Sequence, residues 1–199
     1  MASTHDAVRR TMMTAFASLP LSSSATSAAQ HGETRQACSK TLVAYFSRSG
    51  NTRVVAGLIH RARRTDLFEI RPAHPYPEDY LETVEQARIE RDGGHEPALE
   101  ARVTRMADYD TVFLGFPIWG ETTPPVIRSF LSAHSLSNKV LIPFVTHGGY
   151  GLGNSPSVLA SHAPKARLCD GFVMEADQER RTMDRVTGWL DGVTITQGK

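Results

Sequence analysis

Short apolar runs alternate with longer amphipathic segments along most of the chain. The runs are rich in β-branched and aromatic residues and end at glycine, proline or polar clusters. This is typical of strands that are buried in a parallel sheet. The runs predict five strands, at 41–46, 66–71, 111–116, 140–145 and 168–175.

The segments between these runs have apolar residues at helical spacing. The first predicted helix begins near Thr52, and the last covers 178–191. The second begins near residue 78, with an apolar side formed by Tyr80, Leu81, Val84 and Ala87. The third follows Thr123, which we expect to cap it, with Pro124 in its first position. The fourth ends near residue 162. Strand and helix thus alternate five times, which predicts an α/β fold with a parallel sheet and helices on both faces.

Hydroxyl groups and one glycine fill the turn after the first strand, which consists of Ser47, Arg48, Ser49, Gly50, Asn51 and Thr52. Backbone N–H groups and the positive end of the helix dipole face such a turn, so it can bind an anion. We interpret it as a cradle for one phosphate. It lacks the paired glycines and the lysine of the ATP-binding loop G-x-x-x-x-G-K-[ST]. The alternative is an ordinary turn with Thr52 as the helix N-cap.

The sequence resembles the flavodoxin family at three loops. The turn S-R-S-G-N-T is similar to the FMN-phosphate loop of flavodoxins. P-I-W-G at 117–120 and T-H-G-G-Y-G-L-G at 146–153 resemble a branch of short bacterial flavodoxins. D-L-F-E-I-R-P at 66–72 matches that branch too, and the resemblance covers about 41–193. Members of the branch often carry two adjacent tryptophans, whereas Gly120 follows Trp119 here.

The resemblance implies a flavodoxin-like three-layer sandwich around a five-stranded parallel sheet of order 2-1-3-4-5. In this order the loops after strands one, three and four meet where ligands bind. FMN is the implied cofactor, with its phosphate in the 47–52 turn. The implied ring site consists of Pro117, Ile118, Trp119, Gly120, Thr146, His147, Gly148, Gly149, Tyr150, Gly151 and Gly153.

Each kind of residue in the ring site suits one need of a flavin. Trp119 can stack on the isoalloxazine, and Gly120 lets the backbone approach its N5 atom without a Cβ clash. The glycines after strand four leave N–H groups open toward the pyrimidine edge. His147 can donate to the ring or lie against it, and Tyr150 can cover it. We expect no dedicated catalytic side chain.

Composition and charge narrow the function further. The chain has 199 residues, of which 22 are basic and 21 acidic, and 40% are hydrophobic. This suits one globular domain, without a basic block for nucleic acid or a permanent membrane span. The two cysteines, Cys38 and Cys169, form no C-x-x-C or Cys/His cluster, which argues against a zinc or iron–sulfur site. Without residues 1–29 the formal charge is zero, whereas many electron-carrier flavodoxins are strongly acidic.

The first forty residues differ in composition from the rest. Arg9 and Arg10 precede a mildly apolar segment and then a run of small residues. This pattern predicts a signal peptide of the twin-arginine type at 1–29. A linker would follow at 30–40, and the flavodoxin-like domain at 41–195. The protein is then periplasmic or secreted. The alternative is a disordered Ser/Ala/Thr tail on a cytoplasmic protein.

Three functions are consistent with these features. The first is an FMN protein that transfers electrons to a redox partner protein or a small-molecule acceptor. The second is an FMN-dependent NAD(P)H:quinone-type reductase. The third is a binding or regulatory module that kept the fold without the flavin. A receiver domain is disfavoured because Ser47 and Arg48 stand where its acidic pair is expected.

Overall fold

The structure is a computed structural model that describes residues 40–175 and 179–193. The predicted signal peptide, Cys38 and residues 194–195 lie outside the described residues, as does the predicted linker apart from Lys40. The beginning that we predicted for the last helix, at residue 178, also lies outside them. No helix in the described ranges is long and apolar enough to cross a membrane.

A parallel sheet forms the centre of the domain that the structure describes. Its strands are β1 (Thr41–Tyr45), β2 (Asp66–Glu69), β3 (Thr111–Pro117), β4 (Val140–His147), β5 (Arg167–Leu168) and β6 (Phe172–Glu175). The order is β2-β1-β3-β4-β5, and β6 also pairs with β4. All pairs are parallel. The predicted sheet type and strand order are therefore confirmed.

The predicted last strand, 168–175, is divided into β5 and β6. Leu141 pairs with Leu168, and Phe144 pairs with Phe172, so both short strands lie along β4. Pro143 lies between the two pairings, and it has no N–H to donate to a neighbouring strand. The O atom of Leu141 accepts a hydrogen bond from the β5 side. Successive residues of a strand direct their backbone N–H and C=O groups to opposite sides, so Leu141 and Pro143 face the same neighbour. The missing N–H of Pro143 therefore lies on the β5 side, where the strand pairing is interrupted.

The described residues form five α-helices around the sheet, together with a 3-10 turn at Met106–Asp108. They are α1 (Asn51–Arg63), α2 (Tyr80–Asp92), α3 (Pro125–Ala133), α4 (Ser155–His162) and α5 (Glu179–Gly192). One hydrophobic core contains residues of α3 and α4, and a second contains residues of α1 and α5. Alternate residues of β1 enter the two cores, as expected for a strand that is buried on both faces. The predicted three layers are thus confirmed.

The start of α3 differs from the prediction. Pro124 is the N-cap and Pro125 is the first helical residue. The side-chain oxygen of Thr123 is buried without a hydrogen-bond partner in the described structure, so it does not cap the helix. The reason is that a residue before a proline is disfavoured in the helical conformation. Pro124 precedes Pro125 and is extended, with ψ at 145°.

Helix α2 also differs from the prediction. Asp79 caps it by accepting a hydrogen bond from the N–H of Glu82 at 2.9 Å. The residues it buries are Thr83, Ala87 and Glu90. Tyr80, Leu81 and Val84, which we expected on its apolar side, are exposed. This helix packs on α3 rather than on the sheet, so its apolar side chains are left for the cavity described next and for solvent.

Candidate cofactor-binding site

A cavity of about 880 Å³ lies at the carboxyl ends of β1, β3 and β4. The three loops that the sequence singled out contribute to it, and α2 forms a further wall. The predicted residues that line it are Arg48, Ser49, Asn51, Pro117, Ile118, Trp119, Gly120, Thr146, His147, Gly148 and Tyr150. Six other predicted residues are absent from the lining, namely Ser47, Gly50, Thr52, Gly149, Gly151 and Gly153.

The N-terminus of α1 opens toward one side of this cavity. Its N-cap is Gly50, at φ 97°, and no side chain in the described part of the chain caps it. The first turn contains no acidic residue, and Ser49 and Asn51 line the cavity beside it. Unpaired N–H groups and the positive helix end favour an anion here. The alternative in which Thr52 is the N-cap is wrong, because Gly50 occupies that position.

Two hydroxyls of the predicted phosphate loop are engaged within the protein. The Ser47 hydroxyl accepts a hydrogen bond from the N–H of Gly50 at 3.2 Å, which closes the turn. The Thr52 hydroxyl is buried and is hydrogen-bonded to the Thr146 hydroxyl at 2.8 Å. These two residues therefore shape the loop and join it to β4, while Ser49 and Asn51 line the cavity.

Arg48 connects the loop to the start of α2. Its Nη2 donates to the backbone oxygen of Glu78 at 2.5 Å, and its guanidinium lies 5.9 Å from the centre of the Tyr80 ring. Both contacts are at the surface, so each stabilises the arrangement only modestly. They nevertheless hold a positive charge at the mouth of the cavity, near the open end of α1.

Trp119 begins a tight hairpin at the end of β3. Its N–H and C=O pair with Thr122, at 3.1 and 3.3 Å. Gly120 and Glu121 between them have φ of 55° and 61°, as in a type I′ turn. The indole contacts Tyr76 edge to face, with ring centres 4.9 Å apart. Phe46 makes a second such contact at 5.2 Å. These contacts fix the orientation of the indole in the cavity wall.

The loop after β4 supports the same hairpin. The N–H of Asn154 donates to the oxygen of Glu121 at 3.0 Å. Gly153, at φ 52°, lies so close that an added Cβ would come within 1.9 Å of that oxygen. Only glycine fits this position, because both the conformation and the space exclude a side chain. Gly153 therefore acts on the cavity through Glu121 and not by lining it.

His147 and Tyr150 line the cavity from the loop after β4. The Nδ1 atom of His147 accepts a hydrogen bond from the N–H of Gly149 at 3.0 Å. This bond leaves the Nε2 atom of the neutral ring to carry the proton. Tyr150 is 72% exposed, so it borders the opening rather than the base of the cavity.

Helix α2 forms a wall of the cavity that the sequence did not predict. This wall consists of Tyr80, Thr83, Val84, Ala87, Arg88 and Arg91. The sequence does contain a pattern that indicates this wall, since residues 80, 84, 87 and 91 recur at helical spacing and thus share one face of α2. We assigned the apolar members of this face to helix packing. The hairpin residues Glu121 and Thr122 and the helix residue Pro125 also line the cavity and were not predicted.

Comparisons with known proteins agree with this geometry. The family model described as Flavodoxin matches residues 40–193. This chain belongs to the flavodoxin family. The comparison with curated proteins gave no match.

Several solved structures are similar to this flavodoxin-family chain. A candidate flavoprotein from Bacteroides eggerthii is 34% identical, with a TM-score of 0.68, and the match covers 78% of this chain and 99% of that one. A second, from Bacteroides uniformis, is 30% identical with a TM-score of 0.69, covering 77% and 98%. A Lactobacillus acidophilus flavoprotein in complex with FMN is 21% identical with a TM-score of 0.62, covering 73% and 99%. This last likeness concerns the fold.

The described cavity of this flavodoxin-family domain combines two chemical features. An uncapped helix end, two polar side chains and Arg48 form a site for an anionic group. Trp119, Ile118 and Pro117 form an apolar surface at the end of β3. A ligand that fits both features has a flat aromatic part and an anionic end. No cluster of His, Cys, Asp and Glu in the described ranges could hold a metal ion.

Proposed function

We propose that the cavity binds FMN, with the phosphate at the N-terminus of α1 and the isoalloxazine against Trp119. The observation that carries this proposal is the presence of the uncapped helix end and the fixed indole in one cavity. Membership of the flavodoxin family and the FMN complex of the Lactobacillus acidophilus neighbour support it.

The phosphate would be held mainly by groups that other contacts leave available. These are the first N–H groups of α1, the Ser49 hydroxyl, the Asn51 amide and the N–H groups of Arg48 that do not bond to Glu78. Hydrogen bonds to a charged acceptor contribute about 1.5–3 kcal/mol each. Because the helix end accommodates one terminal anionic group, we expect selectivity for FMN over FAD.

The proposed activity is electron transfer to a redox partner protein or a small-molecule acceptor. Bound FMN would supply the redox chemistry, since it accepts and gives up electrons. The protein would orient the ring through Trp119 and exclude water from one of its faces. The exposed rings of Tyr80 and Tyr150 border the opening, so a partner can approach there.

One observation favours a second candidate, an FMN-dependent NAD(P)H:quinone-type reductase. Arg88 and Arg91 on α2 line the same cavity in addition to Arg48. Arg91 is paired with Asp92 at 2.9 Å, and Arg88 is paired with Glu85 at 2.7 Å and with Asp92 at 3.2 Å. A guanidinium has five N–H donors, so both arginines keep donors beyond these bonds. These donors are available to an anionic reductant such as NADPH.

The FMN site is tested by flavin fluorescence titration of the purified protein. Changing Ser49 and Asn51 together to Ala removes two donors to the phosphate. Since each contributes about 1.5–3 kcal/mol and about 1.4 kcal/mol is tenfold, we expect affinity to fall at least tenfold. Ser157→Ala, at an exposed serine of α4, is the matched control and should bind as the wild type does. Unchanged affinity in the double variant would contradict the placement of the phosphate.

The two candidate activities are separated by adding NADPH to the FMN-loaded protein without air. Rapid bleaching of the flavin, slowed by Arg91→Gln, would favour the reductase. Bleaching only after photoreduction, or with an added reductase, would favour electron transfer between proteins. A protein that takes up no FMN would contradict both.

A further inference from the structure

A tyrosine–carboxylate pair adjoins Trp119, in which the carboxylate is buried and the tyrosine is half-buried. The Tyr76 hydroxyl donates to Oε2 of Glu90 at 2.7 Å. The other oxygen, Oε1, accepts a hydrogen bond from the Gln86 amide at 2.8 Å. Glu90 is only 8% exposed, although it belongs to a helix with a largely polar surface. The FMN site described above makes no use of this carboxylate, which is costly to bury.

Tyr76 has two contacts that together suit it for one-electron oxidation. Its ring meets the Trp119 indole with centres 4.9 Å apart, so an electron can pass between rings in van der Waals contact. Burial, together with the bond to Glu90, raises the pKa of Tyr76 well above its usual range. The neutral phenol must therefore release its proton when it loses an electron. Glu90 is the hydrogen-bonded base that can take it.

We propose that Trp119, Tyr76 and Glu90 form a redox relay that carries oxidising equivalents away from the cavity. A strong one-electron oxidant in the cavity, of the class of photoexcited isoalloxazines or metal(III) polypyridyl complexes, removes one electron from Trp119. Tyr76 returns one electron to the indole radical cation. At the same time the phenolic O–H bond breaks and its proton forms a new O–H bond on Glu90. The products are a neutral indole, a neutral tyrosyl radical and a protonated Glu90 side chain.

A second tyrosine provides an internal comparison. The Tyr109 hydroxyl also donates to a carboxylate, Asp66, at 2.7 Å. The cavity lining contains neither residue, and no ring contact between Tyr109 and a tryptophan is found in the described structure. Both tyrosines thus have a proton acceptor, but only Tyr76 is connected to Trp119. The proposed relay therefore predicts that oxidation forms a tyrosyl radical at Tyr76 and not at Tyr109.

The test uses a ruthenium(III) tris-bipyridyl oxidant, generated by light with persulfate, on the flavin-free full chain. Its outcome therefore does not depend on FMN binding. The exposed Tyr80 and Tyr150 are first changed to Phe to lower the background. Frozen samples are examined by electron paramagnetic resonance, with ring-deuterated tyrosine to distinguish tyrosyl from tryptophanyl signals. Circular dichroism and the unfolding midpoint check that each variant is folded.

In this background we expect a tyrosyl signal that Tyr76→Phe removes and Tyr109→Phe retains. Trp119→Phe should delay the signal because the electron donor to the oxidant is gone. Glu90→Gln keeps the shape and an acceptor for the hydrogen bond but cannot take the proton, so most of the signal should be lost. This variant also tests the relay if Tyr76→Phe does not fold. A signal that survives Tyr76→Phe, that Tyr109→Phe removes equally, or that Glu90→Gln leaves unchanged would overturn the relay.

Discussion

His134 joins the end of α3 to the loop before the 3-10 turn through two opposite hydrogen bonds. Its Nδ1 lies 2.8 Å from the oxygen of Phe130, and its Nε2 accepts from the N–H of Val103 at 3.0 Å. The ring must therefore be neutral, with its proton on Nδ1. Burial lowers the pKa of His134, and the bond to Phe130 opposes this effect only in part. Protonation of Nε2 would place two donors face to face.

This arrangement predicts how stability changes with pH. The pKa of His134 is lower in the folded protein than in the unfolded chain, so the unfolded chain binds the proton first. The contribution of neutral His134 to the stability of the folded protein is complete above about pH 6.5 and is lost as the pH falls through the folded-state pKa of His134. Urea unfolding between pH 7 and pH 5, values chosen to span the ~6.5 of free histidine, should show this loss.

Two matched variants show whether His134 causes this pH dependence of stability. His134→Gln should make the free energy of unfolding less dependent on pH in this range, while His74→Gln, at an exposed loop position, should keep the wild-type slope. An equal slope in His134→Gln and the wild type would show that His134 is not the titrating group.

Gly153 is the residue on which the Trp119 hairpin depends. Gly153→Ala should destabilise the protein by more than ~1 kcal/mol, because alanine is strained at positive φ and its Cβ meets the Glu121 oxygen. It should also weaken FMN binding, since the hairpin must shift. Gly148→Ala is the control for stability, because an added Cβ there meets nothing within 4 Å. Equal midpoints of urea unfolding for the two variants would contradict this role.

At the scale of helices and strands, a buried pair of hydroxyls joins helix α1 to strand β4. Thr52 and Thr146 lie far apart in sequence, but their hydroxyls bond to each other beneath the cavity loops. Thr52→Val or Thr146→Val alone leaves one buried hydroxyl without a partner, which costs about 1–3 kcal/mol. Changing both to Val removes the unpaired group and should cost clearly less than the sum of the single changes.

A double-mutant cycle from urea unfolding measures this coupling. We expect a coupling of about 1 kcal/mol or more between neighbouring groups of this kind. Additive effects would mean that the two hydroxyls do not depend on each other. Ser161→Ala is a suitable control, because that hydroxyl is exposed and, within the described residues, its bonds are to Val158 and His162 of the same helix.

At the scale of the whole molecule, we propose that residues 1–29 are an export signal and that the domain folds without them. A chain that begins at Gln30 should have the unfolding midpoint and FMN affinity of the full chain. Changing Arg9 and Arg10 to Lys should leave the precursor in the cytoplasm, because the twin-arginine route reads that pair. Fractionation followed by immunoblotting measures the distribution. Normal export of the Lys variant, or cytoplasmic residence of the unchanged protein, would contradict the signal.

The sequence by itself determined the order and type of the main elements. Buried parallel strands and helix faces have local periodicities, so the runs at 41–46 and 111–116 were recognisable without knowledge of their neighbours. Strand order followed from alternation and from family resemblance. Element ends were less accurate where two local rules competed, as at Pro124 and Pro125, where the restriction on a residue before proline displaced the expected cap.

Only the tertiary structure decided which side chains face the cavity. Position in a loop does not determine the direction of a hydroxyl, and Thr52 pairs with Thr146 because the fold places β4 beside α1. Likewise, the side of α2 that includes Val84 borders a cavity rather than a core because the helix packs on α3. The bond between Tyr76 and Glu90 likewise joins a loop residue to a helix residue 14 positions away. Local sequence patterns specify a residue's own element, whereas the partner of a side chain depends on elements that are distant in the chain.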